Sequence, residues 1–276
     1  ALGRRGWGRG GGREGRGRHA GSARPHVRSG GGPPIRQPFY DVLKLFQKAA
    51  IALNRVQILY VYMHLAFMLL AVVLLAMGQD ILMILFAHAF SAIALILGGM
   101  SVRSPYSRIG SMRKIMQMVA YEPILVLMVI AMYLTTGSFL GSEIYRADRP
   151  LLLSLPLVFL AFLAAVAIKL DKSPFDVATS HHAHQELVKG VTLEFAGPYL
   201  GLIEITHFYE VFVLFAIIAM FWAPNLAVGL GLEVLAFLFL IVLDNTWARL
   251  TTGWMVRFMW SVPMLLALSN LVWFYL

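Results

Sequence analysis

Long apolar runs dominate this chain, and the polar stretches between them are short in all places but two. Seven runs reach or approach the length of a membrane crossing: 57–77, 81–100, 116–135, 151–168, 199–222, 227–245 and 256–276. A helix needs about 20 apolar residues to cross a hydrocarbon core of roughly 30 Å. The runs are continuous rather than alternating, which selects helices over barrel strands. The predicted fold class is therefore all-α, a polytopic transmembrane bundle of about seven spans. A further helix is predicted ahead of them over 37–50, opening near Pro38. Val42, Leu43, Leu45, Phe46 and Ala49 supply its apolar surface, and Asp41, Lys44 and Lys48 its polar side. It is too short to span, so it is predicted to lie in the membrane interface.

The first exception is an insert over 170–198, LDKSPFDVATSHHAHQELVKGVTLEFAGP. It carries Asp171, Lys172, Asp176, Glu186, Lys189 and Glu194 together with His181, His182 and His184. A connector between two spans has no need of this chemistry, and long loops of this kind build sites or dock partners. The histidines are poorly spaced for a metal, since no further ligand pattern converges on them. No metal site is assigned. Contact with a soluble partner or proton entry is the expected use.

The second exception is the N-terminus. The chain has a formal net charge of +9, and residues 1–32, with eight Arg, one Glu and twelve Gly, account for +7 of it. Only Trp7 interrupts that tract with an aromatic ring, so base stacking on nucleic acid is poorly supplied. No nucleic-acid partner is expected. The tract has neither a signal-peptide core nor the periodicity of an Arg-rich helix. It is expected to be disordered, or to be a mis-called start, with a membrane domain over 33–276. Cysteine is absent, so no cofactor held by Cys, whether iron–sulfur cluster or nickel–iron centre, is expected in this chain.

Lys and Arg set the topology. They concentrate in 36–55, in 101–114, in the insert and at Arg249 and Arg257, whereas the opposing loops are neutral or poor in positive charge. The first three segments are thus expected on the cytoplasmic face of the cell membrane. Acids inside the apolar runs are costly and mark ion paths by default. Glu122 falls in the third run, Glu204, His207 and Glu210 in the fifth, and Glu233 in the sixth. The spacing i, i+3, i+6 is expected to place Glu204, His207 and Glu210 along one side of a helix. A relay and a polar packing contact both remain open for them. Lys169 and Asp244, at run ends, are expected to be interface anchors, and His64 and His88 to make helix–helix hydrogen bonds.

Three motifs in order carry a family resemblance. PPIRQPFYDVLKLF (33–46), with Gln37, Pro38, Phe39, Asp41, Lys44 and Leu45, resembles the amphipathic segment of the H-type subunit (subunit 1) of NADH–quinone oxidoreductase, complex I. SPYSRIGSMRKIMQMVAYEP (104–123) is similar to that family's loop ending in Arg-x-x-x-Gln-x-x-x-Tyr-Glu, here Arg113, Gln117, Tyr121 and Glu122. SPFD (173–176), ELVKG (186–190) and EF (194–195) resemble its third loop, and the interval from Glu186 to Glu194 is retained. Between Asp176 and Glu186 the chain departs from the respiratory pattern. The sequence SHHAHQE there resembles the membrane subunit of energy-converting nickel–iron hydrogenases of the Ech type.

The resemblance implies a membrane subunit with no catalytic centre of its own. Its expected partners are hydrogenase-like large and small subunits, an iron–sulfur subunit and an antiporter-like membrane subunit, with iron–sulfur clusters and a nickel–iron site held by those partners. Electrons would pass from ferredoxin to protons, coupled to proton or sodium translocation. Gln37, Asp41, Arg113, Asp176, His181, His182 and His184 would form the junction with the soluble module. Glu122, Glu186, Glu194, Glu204, His207, Glu210 and Glu233 would couple it to the ion path. Three alternatives stand beside this reading: the quinone-site subunit of complex I, a passive anchor, and an autonomous secondary transporter. The last would show internal repeats, and no matching halves are found.

Overall fold

The computed structural model describes residues 37–50, 54–147, 149–175, 190–248 and 250–275. The Gly/Arg tract and the centre of the insert, with Asp176, His181, His182, His184 and Glu186, lie outside them. Two contact units are separated between Tyr40 and Asp41, and the architecture below is that of the second. Its elements follow in order. Helix α1 (Gln37–Phe46) crosses the boundary; then come α2 (Arg55–Ala76), α3 (Ile81–Met100), α4 (Pro105–Thr136), α5 (Gly141–Tyr145), α6 (Leu151–Ser154), α7 (Pro156–Lys169), a 3₁₀ turn (Gly190–Thr192), α8 (Pro198–Met220), α9 (Leu226–Thr246) and α10 (Thr252–Tyr275). Among the described residues, six helices are long and apolar enough to cross a membrane, and α7 is a shorter apolar helix. This is the polytopic helical membrane protein expected from the pattern.

Helix α4 occupies the centre, packing on α3, α7 and α10, while α2 pairs with α3 and α8, and α8 with α9. Its buried side chains, among them Ile124, Leu125, Met128 and Met132, form the core with Phe162, Val166 and Ile168 of α7. The helix starts well ahead of the third apolar run, because Pro105 sits at its first turn and nothing after it breaks the helix. Arg113 therefore lies on a helix rather than in a loop. It ends at Gly137, whose φ of 75° closes it in a left-handed cap. Pro123 removes the amide that would bond the Val119 carbonyl, and the indole Nε1 of Trp260 on α10 donates to that carbonyl at 3.3 Å. Internal prolines survive in membrane helices when a neighbour supplies the missing donor.

The fourth apolar run departs from expectation. It is not one span but two helices, α6 and α7, broken at Leu155 where Pro156 starts the second. The break frees polar backbone inside the bundle, and Asn270 of α10 closes it. Its Oδ1 accepts from the Leu157 and Val158 amides at 3.0 and 3.2 Å, and its Nδ2 donates to the Ser154 carbonyl at 3.2 Å. Helix α7 has 14 residues, a rise of roughly 21 Å, and cannot reach across the core. Its C-terminal residue, Lys169, consequently stops inside the bundle.

Beyond Lys169 the chain continues as non-helical backbone, buried at Leu170, Pro174 and Phe175 and exposed at Lys172, and neighbouring side chains satisfy its polar groups. Gln117 Nε2 donates to the Phe175 carbonyl at 2.7 Å, and Lys114 holds both carboxylate oxygens of Asp171 at 2.6 and 2.7 Å. Asp244 Oδ1 accepts from the Ser173 amide at 2.8 Å. The far end of the insert returns to the same helix. Gly110 faces the 190–191 backbone so closely that a Cβ there would lie 2.6 Å from the Gly190 carbonyl carbon. The described parts of the insert therefore clasp the first half of α4.

Candidate functional site

The residues enclosed at the middle of this bundle are ionic. Lys169 is 2% exposed. Its Nζ lies 3.0 Å from the Tyr121 hydroxyl, 3.0 Å from Glu210 Oε1, and 5.1 Å from the centre of the Tyr121 ring. Glu210 gathers further partners: His207 Nδ1 donates to its Oε2 at 3.1 Å, and His88 Nε2 stands 3.6 Å from its Oε1. The latter distance is too long for a hydrogen bond, and that nitrogen has no hydrogen-bond partner among the described residues, so the contact is one of charge range only. His64 lies close by across α2 and α3. Its Nδ1 is 2.8 Å from the Ser91 carbonyl while the Ser91 hydroxyl donates to the His64 carbonyl at 2.8 Å. This pairing is satisfied when Nδ1 carries the proton.

Four helices thus supply one cluster: His88 from α3, Tyr121 from α4, Lys169 from α7, and His207 and Glu210 from α8. Each of α3, α4 and α8 contributes near its midpoint, and the short α7 delivers its last residue to the same level. A pair of opposite charges so enclosed forfeits hydration and persists only with close geometry and extra hydrogen bonds. Tyr121 and His207 provide those. His207 is 43% exposed along its side chain, so the cluster reaches the surface of α8 there.

The expected site residues divide on this geometry. His207 and Glu210 are brought together with Lys169, while Glu122, next to Tyr121 on α4, is partly exposed, with its Oε2 buried and without a hydrogen-bond partner among the described residues. Glu204 is not brought in. It is exposed and has no ion pair among the described residues, which corrects the expectation of one shared helical side. Each i+3 step retreats about 60° round the helix, so two steps carry Glu204 about 120° away from Glu210. Glu233 is partly buried on α9, near enough to Tyr145 for its charge to raise that tyrosine's pKa beyond the effect of burial. Glu194 lines a cavity of about 390 Å³ with Asn54, Ser101, Val102, Arg103 and Ser104, and its carbonyl accepts from Gln57 Nε2 at 3.2 Å. Arg113 is partly buried on α4, while Gln37 and Asp41 are exposed on α1.

Contact overturns two further expectations, for Lys169 and His88, and gives Asp244 its partners. Lys169 is not an interface anchor but the cation of the cluster. Asp244 serves the backbone of Ser173, and its Oδ2 is 3.7 Å from Lys172 Nζ. His88, expected to hydrogen-bond between helices, instead faces Glu210. The signal that could have found it lies in position: His64, His88 and Glu210 each sit near the middle of an apolar run.

A bundle of apolar helices that encloses a lysine–glutamate pair defines an integral membrane protein built around intramembrane charge. Comparison with known proteins places it further. The NADH dehydrogenase family profile matches residues 19–275, and the chain belongs to that family, in the branch of subunit 1, the H-type subunit. The H-type subunit of NADH-quinone oxidoreductase from Dehalococcoides mccartyi strain CBDB1 is 31% identical over 215 residues, covering 73% of this chain and 59% of the relative. The protein of the same description from Geobacillus kaustophilus strain HTA426 is 27% identical over 210 residues, covering 71% and 62%. The chain thus spans about three fifths of the length of these relatives. Among solved structures, a chain of the membrane-bound sulfane sulfur reductase, an archaeal respiratory membrane complex, matches with a TM-score of 0.80 over 88% of both chains. At 23% identity that likeness speaks to the fold.

Proposed function

We propose that this chain is the membrane subunit of a redox-driven ion pump in the cell membrane, coupled to a hydrogenase-like module that passes electrons from ferredoxin to protons. The partners of that module hold the iron–sulfur clusters and the nickel–iron site; this chain holds the ion path. The insert, the first half of α4 and the 36–55 segment face the cytoplasm and meet the module. The observation that carries the reading is the enclosed Lys169–Glu210 pair with its exit at His207. Apolar packing would anchor a module equally well, and a passive anchor has no use for charges whose enclosure is costly.

The path from junction to pair is mechanical. Asp171 and Phe175, at the start of the insert, are tied to Lys114 and Gln117, which lie two turns and one turn before Tyr121 on α4. A partner that shifts the insert on electron arrival therefore pulls on the helix that carries Tyr121 and Glu122, and on Lys169 two residues before Asp171. Family likeness and the SHHAHQE sequence support a hydrogenase-like module.

The test is made on the tagged complex reconstituted in vesicles. Ferredoxin-driven H₂ evolution is expected to move protons or Na⁺ across the bilayer. Glu210→Gln is expected to lower that transport far more than it lowers dye-linked hydrogenase activity, which bypasses the membrane. Equal loss of both, or no loss of transport, overturns the coupling role. Co-purification with NADH-oxidising and quinone-reducing modules overturns the hydrogenase assignment.

A further inference from the structure

The cavity of about 390 Å³ beside Glu194 lies where α2 begins and α3 gives way to α4. Its lining carries both signs of charge. Arg103 and Glu194 border the same space, yet neither has an ion pair among the described residues. The remaining polar groups divide between donors and acceptors. The Ser104 hydroxyl makes no capping hydrogen bond to α4. Asn54 commits its Oδ1 to the Val56 amide at 3.2 Å, which leaves its Nδ2 to donate. With the Arg103 guanidinium, these groups suit a phosphate. Ser101 gives its hydroxyl proton to the Gly98 carbonyl at 2.7 Å, so its Oγ is left to accept, as is the Glu194 carboxylate. Those two suit an ammonium.

Position adds a second constraint. Asn54 caps one membrane-crossing helix and Ser101 follows the last residue of the next, so the cavity sits at the level of a membrane interface. From Ser101 the same face of α3 runs back through Leu97, Ile93 and Phe90, at steps of four, four and three residues. Leu97 and Phe90 are exposed and Ile93 is half-buried. Phe67 of α2 adds its ring to this lane, 5.6 Å from that of Phe90 between centroids. Eleven residues of helix rise roughly 16 Å, about half of a core of roughly 30 Å. The polar cavity therefore opens onto an apolar lane one leaflet deep.

We propose that this cavity holds the headgroup of a zwitterionic phospholipid, one that joins a phosphate to a primary ammonium as phosphoethanolamine does. The phosphate meets Arg103, Ser104 and Asn54, the ammonium meets Glu194 and Ser101, and an acyl chain lies along Leu97, Ile93 and Phe90. A headgroup so held bridges the start of α2, the α3–α4 connection and the far end of the insert. Charge sets the selection. A quaternary ammonium has no proton to donate to Glu194 or Ser101, and an anionic glycerol headgroup leaves the carboxylate unpaired beside a negative lipid. The proposal needs only the membrane-crossing fold and holds whether or not the chain serves a pump.

The test uses the intact tagged complex in lipid nanodiscs, with assembly checked on native gels. The probe is phosphatidylethanolamine with a photoreactive diazirine in one acyl chain and an unmodified headgroup. After illumination and digestion, label is expected on the 90–97 stretch of α3. Unlabelled phosphatidylethanolamine is expected to compete, and phosphatidylcholine and phosphatidylglycerol to compete at least about tenfold less well, the scale of one charge-assisted hydrogen bond. Arg103→Gln is expected to cut labelling at least about tenfold. Glu194→Gln is expected to give a result that misfolding cannot imitate: labelling persists, and phosphatidylglycerol becomes as effective a competitor as phosphatidylethanolamine. Labelling that Arg103→Gln leaves unchanged marks bulk lipid contact only and overturns the proposal. Equal competition by all three lipids in the parent complex overturns it too, as does discrimination that survives Glu194→Gln. An unlabelled 90–97 stretch would give the cavity to a partner subunit instead.

Discussion

Replacing Lys169 by Met removes the ammonium that pairs with Glu210 and leaves the shape of the stem nearly intact. The lysine is 2% exposed and the glutamate 13% along its side chain. Breaking a buried pair from one side strands the other charge, at about 3–5 kcal/mol. Glu210→Gln is expected to be milder, about 1.5–3 kcal/mol, the scale of a lost hydrogen bond to a charged group, because Lys169 retains Tyr121. The double variant Lys169→Met/Glu210→Gln removes both charges together, and pairs replaced by neutral groups of similar volume return close to the starting stability. The double-mutant cycle should therefore be non-additive by at least about 2 kcal/mol. The assay is SDS titration of the complex from mild detergent, followed by the intrinsic fluorescence of this chain's tryptophans relative to a partner-only control. A Lys169→Met variant as stable as the parent, or additive single effects, would refute the claim that the pair is enclosed as described.

Three other outcomes follow from packing. Asn270→Leu is expected to destabilise by at least about 2 kcal/mol, since two amides and a carbonyl at the α6–α7 break lose their partner; Asn270→Asp, which keeps the acceptor, should lose less, and the same detergent titration reads both. Trp260→Phe is expected to lower stability by about 1 kcal/mol by removing the donor to the Val119 carbonyl, and Pro123→Ala in that background should restore it by returning the helix amide. Gly110→Val is expected to lift the 190–192 turn from α4, because even a Cβ meets backbone at 2.6 Å, and limited proteolysis of the insert should accelerate at least about tenfold.

The spans were legible because the helical membrane signal is long and local: about 20 apolar residues fix an element whatever it packs against. The α6–α7 break was written as Pro156 yet not legible, since a proline in an apolar run is equally compatible with a kinked continuous helix. Its partner Asn270 lies more than a hundred residues away. The same break concealed Lys169. Read as the end of a full-length span it belongs at the interface, and only the shortness of α7 brings it inside. His207 and Glu210 were legible as titratable groups inside the fifth run, and Glu122 as one at the cytoplasmic end of the third. His88 was not, because a lone histidine on an apolar face does not disclose which helix it meets. The family resemblance rested on three short motifs, and the second of them, 104–123, proves to lie almost wholly on α4 because that helix begins at Pro105.

The central claim is that the Lys169–Glu210 pair links partner redox chemistry to ion movement. Its most direct measurement is the number of ions translocated per electron by reconstituted complexes bearing Glu210→Gln, with H₂ production recorded in the same vesicles. The account expects that ratio to collapse while electrons continue to reach protons. An unchanged ratio would contradict it and leave the cluster as a packing element.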